Sequence, residues 1–276
     1  MKPIITATEL SLLLKKQVIV LIEAGSGKEA KLRYKEGHLT SALYVDLNEH
    51  LAKVPENAAI GGRHPLPDIE KFSDLLGNLG IDKNSHVVVY DDKQGSNAAA
   101  RFWWMLRAAG HTDVQVLSGG LQAAVSSGFS IKTDVPIVHP KKPYPFSAWQ
   151  LPLKNIDEVK EASENETVVI IDVRDGERFL GISEPLDPIA GHIKNAINIP
   201  FKSNLNAVGE FLSESDLYEK YAPLFEQYGK DNIIVHCGSG VTACHTLLAM
   251  AQAGLGIPSL YVGSWSEWCR NYPDKP

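Results

Sequence analysis

A chain of 276 residues, 44% apolar and 22% charged, has the size and composition of a globular protein with two ordinary domains or one large one. Its net charge of −6, spread without long runs, gives no sign of a surface for nucleic acid or acidic membranes. Three cysteines, Cys237, Cys244 and Cys269, exclude a disulfide framework and suit a reducing compartment; with no CxxC or HExxH spacing, neither a metal site nor a cofactor is expected.

Near the N-terminus Leu12-Leu13-Leu14 lies between Glu9 and Lys15-Lys16, which does not read as a signal peptide. No apolar run approaches the roughly 20 residues that span a bilayer. A cytoplasmic protein with no membrane or nucleic-acid partner is expected. Gly37-His38-Leu39-Thr40-Ser41-Ala42-Leu43 then introduces a motif that returns as Gly191-His192-Ile193-Lys194-Asn195-Ala196-Ile197. The buried-strand pattern Val87-Val88-Val89-Tyr90 returns as Ile233-Ile234-Val235-His236. After each comes a predicted helix, then a short strand (Val114 to Leu117, Leu260 to Val262), then a glycine turn opening a further helix at Gly119-Gly120 and Gly263-Ser264. The same elements in the same order predict two tandem α/β domains of similar fold, each a mainly parallel central sheet with helices on both faces. Prolines 136, 140, 143, 145 and 152 make residues 132–152 an extended linker, and the boundary falls near 145, giving domains 1–145 and 146–276.

The segment Cys237-Gly238-Ser239-Gly240-Val241-Thr242-Ala243 follows the second of these strands and opens a helix over 243–252. A strand-to-helix turn carries its side chain to the carboxyl edge of a sheet, where open α/β folds put their ligands. Glycines let successive N–H groups turn inward, and the helix start adds partial positive charge, so the loop favours an anion. A free thiol, with a pKa of about 8.5, is only a few per cent ionised at pH 7, and such surroundings favour the thiolate. Taken alone, a cysteine on such a turn is more often a small buried hydrophobe than a nucleophile. The equivalent place in the first repeat holds Asp91, in Asp91-Asp92-Lys93-Gln94-Gly95-Ser96, so only the second repeat carries the thiol. A site between the two domains is expected, since small molecules often bind there. His38 and His192 follow glycine in both repeats, which points to a structural role. His236 and the tryptophans 103, 104 and 268 read as core, Arg174 as an ion-pair partner, and Trp265 as a candidate to line the cleft.

Together the paired Gly-His motifs, Arg101-Phe102-Trp103-Trp104-Met105, the Cys237 heptapeptide and Gly263-Ser264-Trp265-Ser266-Glu267-Trp268 resemble the two-domain rhodanese-like sulfurtransferases over nearly the whole chain. The resemblance implies that Cys237 takes a sulfur atom from a donor, holds it as a persulfide and passes it to cyanide, a small thiol or thioredoxin. Gly238-Ser239 is similar to the mercaptopyruvate-using branch; the thiosulfate-using branch typically carries basic residues there. In the former, the loop serine is linked to a histidine and an aspartate of the first domain, matched here by His64 in Arg63-His64-Pro65-Leu66-Pro67 and Asp46 in Tyr44-Val45-Asp46-Leu47. An arginine that binds the donor's carboxylate or sulfonate is matched by Arg178. The catalytic set implied is thus Cys237, Ser239, His64 and Asp46, with Arg178, Gly238, Gly240, Val241 and Thr242 binding the donor. A second arginine usually follows Glu-Pro in that branch. Here Glu184-Pro185 is followed by Leu186-Asp187, so the grip on a keto-carboxylate is expected to rest more heavily on Arg178.

Four other functions compete. A thiosulfate:cyanide sulfurtransferase differs only in its donor. A cysteine phosphatase requires an arginine six positions after the nucleophile, where this chain has Ala243. A non-catalytic sulfur carrier is opposed by the intact loop, and a thioredoxin-like oxidoreductase by the lack of CxxC.

Overall fold

Short β-branched and apolar runs form strands, and the polar-patterned stretches between them form helices, throughout residues 1–273, which the structure, a computed structural model, describes. Two units divide the chain. The first comprises residues 1–53, 66–150 and 207–210; the second comprises 54–65, 151–206 and the chain from 211.

In the first unit the elements run β1 (Ile4–Ile5), α1 (Ala7–Leu14), β2 (Val20–Gly25), α2 (Gly27–Glu36), β3 (His38–Leu39), β4 (Leu43–Asp46), α3 (Leu47–His50) and α4 (Ile69–Asn78). They continue as β5 (Val87–Tyr90), α5 (Ala98–Ala108), β6 (Val114–Leu117), α6 (Gly120–Ser126) and β7 (Ile131–Lys132). The second unit contains β8 (Leu153–Lys154), α7 (Ile156–Ala162), β9 (Val169–Asp172), α8 (Gly176–Phe179), β10 (Ile197–Asn198) and α9 (Glu214–Tyr228). It ends with β11 (Ile233–His236), α10 (Thr242–Gln252), β12 (Ser259–Tyr261) and α11 (Ser264–Asn271).

Each unit holds a five-stranded sheet, in the orders β1-β6-β5-β2-β4 and β10-β9-β11-β12-β8. Every pairing within these sheets is parallel. All residues of β5, β6, β9 and β11 are buried, as strands covered on both faces require. The predicted two-fold α/β architecture is therefore the one observed. β5 and β11 stand third in their five-strand orders, so both place the residue that follows them, Asp91 and Cys237, at the carboxyl end of a central strand.

Residues 132–152 only partly match the expected linker. Lys132 pairs in β7, antiparallel to β3. Phe146 and Trp149 lie with ring centroids 6.1 and 5.6 Å from Phe72, and Gln150 N–H donates to the Ala108 carbonyl at 2.7 Å. Burying such rings outweighs the extended preference of the prolines, and the units divide between Gln150 and Leu151 where the sequence suggests 145. The helix after Cys237 has a polar anomaly in its core. His245 on α10 is fully buried, its ring stacked on Phe211 at 4.4 Å. Burial, and secondarily the Lys220 charge, push its pKa down to about 3, whereas an unfolded histidine titrates near 6.5. The neutral ring is the folded form, so this stabilisation is complete above pH 6.5 and is lost as pH falls toward 3, by up to about 1.4 kcal/mol per pH unit. Urea midpoints between pH 6.5 and 4 should therefore decline less steeply for His245→Phe than for the parent. An identical slope would remove His245 from the acid response.

Candidate active site

Gly240 shapes the turn between β11 and α10. Its φ is +71°, and a Cβ there would lie 2.6 Å from the Val262 carbonyl oxygen, so a side chain is excluded on two counts. The turn is docked on the start of α11. Cys237 N–H donates to Ser264 Oγ at 3.2 Å, and the Cys237 and Gly238 carbonyls accept from Trp265 and Ser266 N–H at 3.0 Å each. Val241 caps α10 and Thr242 is its first residue. Cys237 itself is only 2% exposed. Cys244, one turn into α10, donates its thiol to the Gly240 carbonyl at 3.4 Å and, like Cys269, is packed in the core.

His64 reaches this loop because residues 54–65 belong to the second unit. Three bonds hold the segment on α11. Gly61 N–H donates to Glu267 at 2.7 Å, Arg63 N–H to Ser266 Oγ at 3.0 Å, and Asn271 Nδ2 to the Ala59 carbonyl at 2.8 Å. His64 Nδ1 and Ser239 Oγ then lie 2.8 Å apart, a hydrogen bond two residues from the thiol. Asp46 lies in the first unit, at the end of β4, where its buried carboxylate caps α3. One oxygen accepts from Asn48 and Glu49 N–H at 2.8 and 3.2 Å; the other accepts from Gly27 N–H at 2.8 Å and Tyr44 OH at 3.1 Å. That role alone accounts for a carboxylate at this position.

The arginines divide by burial. Arg174 is almost wholly enclosed, bonded to Asp172, Glu184 and the Gly191 carbonyl, and lies 4.8 Å over the Trp265 ring. Burial works against the Asp172 charge, but His236 and the Arg174 fork beside it hold the carboxyl below its usual range. Removing one partner of such a pair costs about 3–5 kcal/mol, which marks Arg174 as structural. His236 belongs to the same cluster: its Nδ1–H donates to the Cys237 carbonyl, and burial pushes its pKa down. Trp265, expected as a candidate to line the cleft, is instead buried beneath Arg174, its Nε1–H donated to the Ile189 carbonyl.

Arg178 is more accessible. It grips Glu184 through Nε at 3.0 Å and Nη2 at 2.6 Å, and its guanidinium faces Gly238. The Leu186 side chain points to solvent, 60% exposed. The residue beside it forms the link that the sequence does not reveal: Asp187, fully buried, is ion-paired to Arg63 and, at 2.9 Å, to Arg270. A Cβ on Gly238 would lie 3.1 Å from Arg63 Nη2 and 3.3 Å from Arg178 Nη2. The guanidiniums of Arg63 and Arg178 thus both approach Gly238, the residue after Cys237. No local pattern marks Arg63; its only sequence signal is its place next to His64.

In the first unit the matching loop is closed on itself. The Asp91 carboxylate accepts from the backbone N–H of Lys93 and Gly95 at 2.9 and 2.7 Å and of Asn97 and Ala99 at 3.0 and 3.2 Å. Burial raises the Asp91 pKa, and the four N–H groups counter it. The Gly-His histidines match across units: His38 and His192 each donate Nδ1–H to a carbonyl at 2.9 Å (Tyr34 and Phe179) and stack on that residue's ring at 4.1 and 4.0 Å. Their role is structural in both.

The rhodanese-like domain family matches residues 6–127 and 155–271. A "Probable 3-mercaptopyruvate sulfurtransferase" of Pseudomonas aeruginosa is 37% identical over 246 residues, covering 88% of this chain and 84% of that protein. The thiosulfate sulfurtransferase of Rattus norvegicus is 34% identical over 257 residues, covering 89% and 82%. Among solved structures, a 3-mercaptopyruvate sulfurtransferase from Leishmania major gives a TM-score of 0.81 at 30% identity, covering 99% of this chain and 75% of that one. The chain belongs to the rhodanese-like family, as two consecutive copies of its domain. It is a sulfurtransferase. Among the described residues no helix is long and apolar enough to cross a membrane.

Proposed function

We propose that the second unit transfers sulfur through a persulfide on Cys237, with 3-mercaptopyruvate as donor and a thiol, thioredoxin or cyanide as acceptor. In the first half-reaction the Cys237 thiolate attacks the donor sulfur. A sulfur–sulfur bond forms, the carbon–sulfur bond breaks, and its electron pair passes to the adjacent carbon as the enolate of pyruvate. The proton lost by the donor thiol returns to that carbon, leaving pyruvate and a persulfide anion. In the second half-reaction the acceptor attacks the outer sulfur and Cys237 departs as thiolate. The loop N–H groups from Gly238 to Thr242 would cradle either anion. The first unit supports this: four N–H groups of the corresponding loop converge on the Asp91 carboxylate.

The observation that carries the donor assignment is the 2.8 Å bond between Ser239 and His64. An enolate must be protonated, and a hydroxyl paired with an imidazole is a proton path of the right kind. Thiosulfate leaves as sulfite and needs no acid. Asp46 completes the relay in this reading, as the resemblance implies. A second reading, thiosulfate as donor, is favoured by the paired guanidiniums of Arg63 and Arg178, which suit a dianion. Steady-state kinetics with both donors and cyanide as common acceptor separate the two. The kcat/KM for 3-mercaptopyruvate should exceed that for thiosulfate by about 100-fold, the lower end of what positioned acid–base groups contribute; a larger value for thiosulfate would reverse the assignment.

A further inference from the structure

We propose that Arg63 binds the anionic end of the sulfur donor, as one half of a two-guanidinium clamp with Arg178. The proposal rests on Cys237 being the sulfur-carrying nucleophile. Its guanidinium is divided between two tasks: Nη1 is ion-paired to Asp187, and Nη2 faces Gly238. Asp187 is buried and also meets Arg270 at 2.9 Å and Arg178 at 3.7 Å. Glu184 joins Arg174 and Arg178, and Asp172 joins Arg174. The cluster therefore sets four guanidiniums against three carboxylates. Of these four, Arg63 and Arg178 face the residue after the thiol.

Gly238 keeps this place open, since even a methyl group there would crowd both guanidiniums at 3.1 and 3.3 Å. Two guanidiniums that approach one point can each bond an oxygen of one carboxylate or sulfonate, a geometry a lysine does not reproduce. The Arg63 side chain is 23% exposed, so it is not sealed from solvent. The Arg63 N–H bond to Ser266 Oγ fixes the backbone beneath it, and Asp187 acts as the positioning residue for its head group. The clamp selects donors that carry an oxyanion close to the transferable sulfur.

The test needs no assumption about the donor. Cys237 is alkylated with iodoacetate, which carries a carboxylate, and with iodoacetamide, its neutral counterpart, and the rate at Cys237 is followed by peptide mass spectrometry. In Arg63→Gln the iodoacetate/iodoacetamide rate ratio should fall roughly 10- to 100-fold, the range expected for a lost charge-assisted bond. Arg63→Lys should give an intermediate ratio; it also keeps the test decisive should the glutamine variant fail to fold. Equal slowing with both reagents would mean that Arg63 only supports the loop, and would overturn the proposal. An unchanged ratio would do the same. The donor kinetics can fail while this ratio still falls, so the two conclusions stand or fall separately.

Discussion

Sulfur transfer to cyanide should be abolished by Cys237→Ser, with a loss of at least about 10⁴-fold in kcat, the scale on which removing a covalent nucleophile acts. An alkoxide is too basic to form at neutral pH, and oxygen cannot hold the transferred sulfur as a labile bond. The fold should tolerate the change. The contacts that dock residue 237, its N–H to Ser264 and its carbonyl to Trp265, belong to the backbone, and the side chain changes only from sulfur to oxygen. Parent protein treated with donor alone should gain the mass of one sulfur atom, and the variant should not. Thiocyanate formed by a correctly folded serine variant at near-parental rates would end the persulfide reading.

A second large effect is expected at the relay. His64→Ala should lower kcat for 3-mercaptopyruvate by about 10²- to 10⁴-fold, the range for a positioned general acid, and change thiosulfate turnover by less than about 5-fold, since sulfite leaves without a proton. Ser239→Ala should follow the same split, because Oγ is the partner of His64 Nδ1. Asp46→Asn separates two roles for that carboxylate. A donor-dependent loss would place it in the relay, whereas a lower unfolding midpoint with equal effect on both donors would reduce it to the cap of α3. Equal losses for both donors in His64→Ala would exclude proton delivery.

Much of this fold is legible in the sequence because its strands are short, mostly apolar and bounded by turn residues. Val87–Tyr90 and Val114–Leu117 appear at their predicted bounds, and the last strand shifts by one residue to Ser259–Tyr261. The thiol loop is legible for a similar reason: its glycines, its hydroxyls and the helix that follows are contiguous. What is not legible comes from contacts between residues far apart. The bonds of residues 59–64 run to Ser239, Ser266, Glu267 and Asn271, between 175 and 212 positions away, and a loop without periodicity carries no local sign of them. The ion pair of Arg63 with Asp187 is hidden in the same way, so a clamp of two arginines reads in the sequence as one. Trp265 is ambiguous in the sequence because an aromatic beside such a loop can equally line a cleft or floor it, and the cation above it, Arg174, is 91 positions away.

The membership of residues 54–65 in the second unit bears on what could be cut from this protein and still work. A fragment beginning at the linker would keep the thiol, its loop and Arg178. It would lack the strap that brings His64 to Ser239 and Arg63 to Asp187. The second copy of the fold thus draws one segment of its structure from chain that precedes the first copy's central strand.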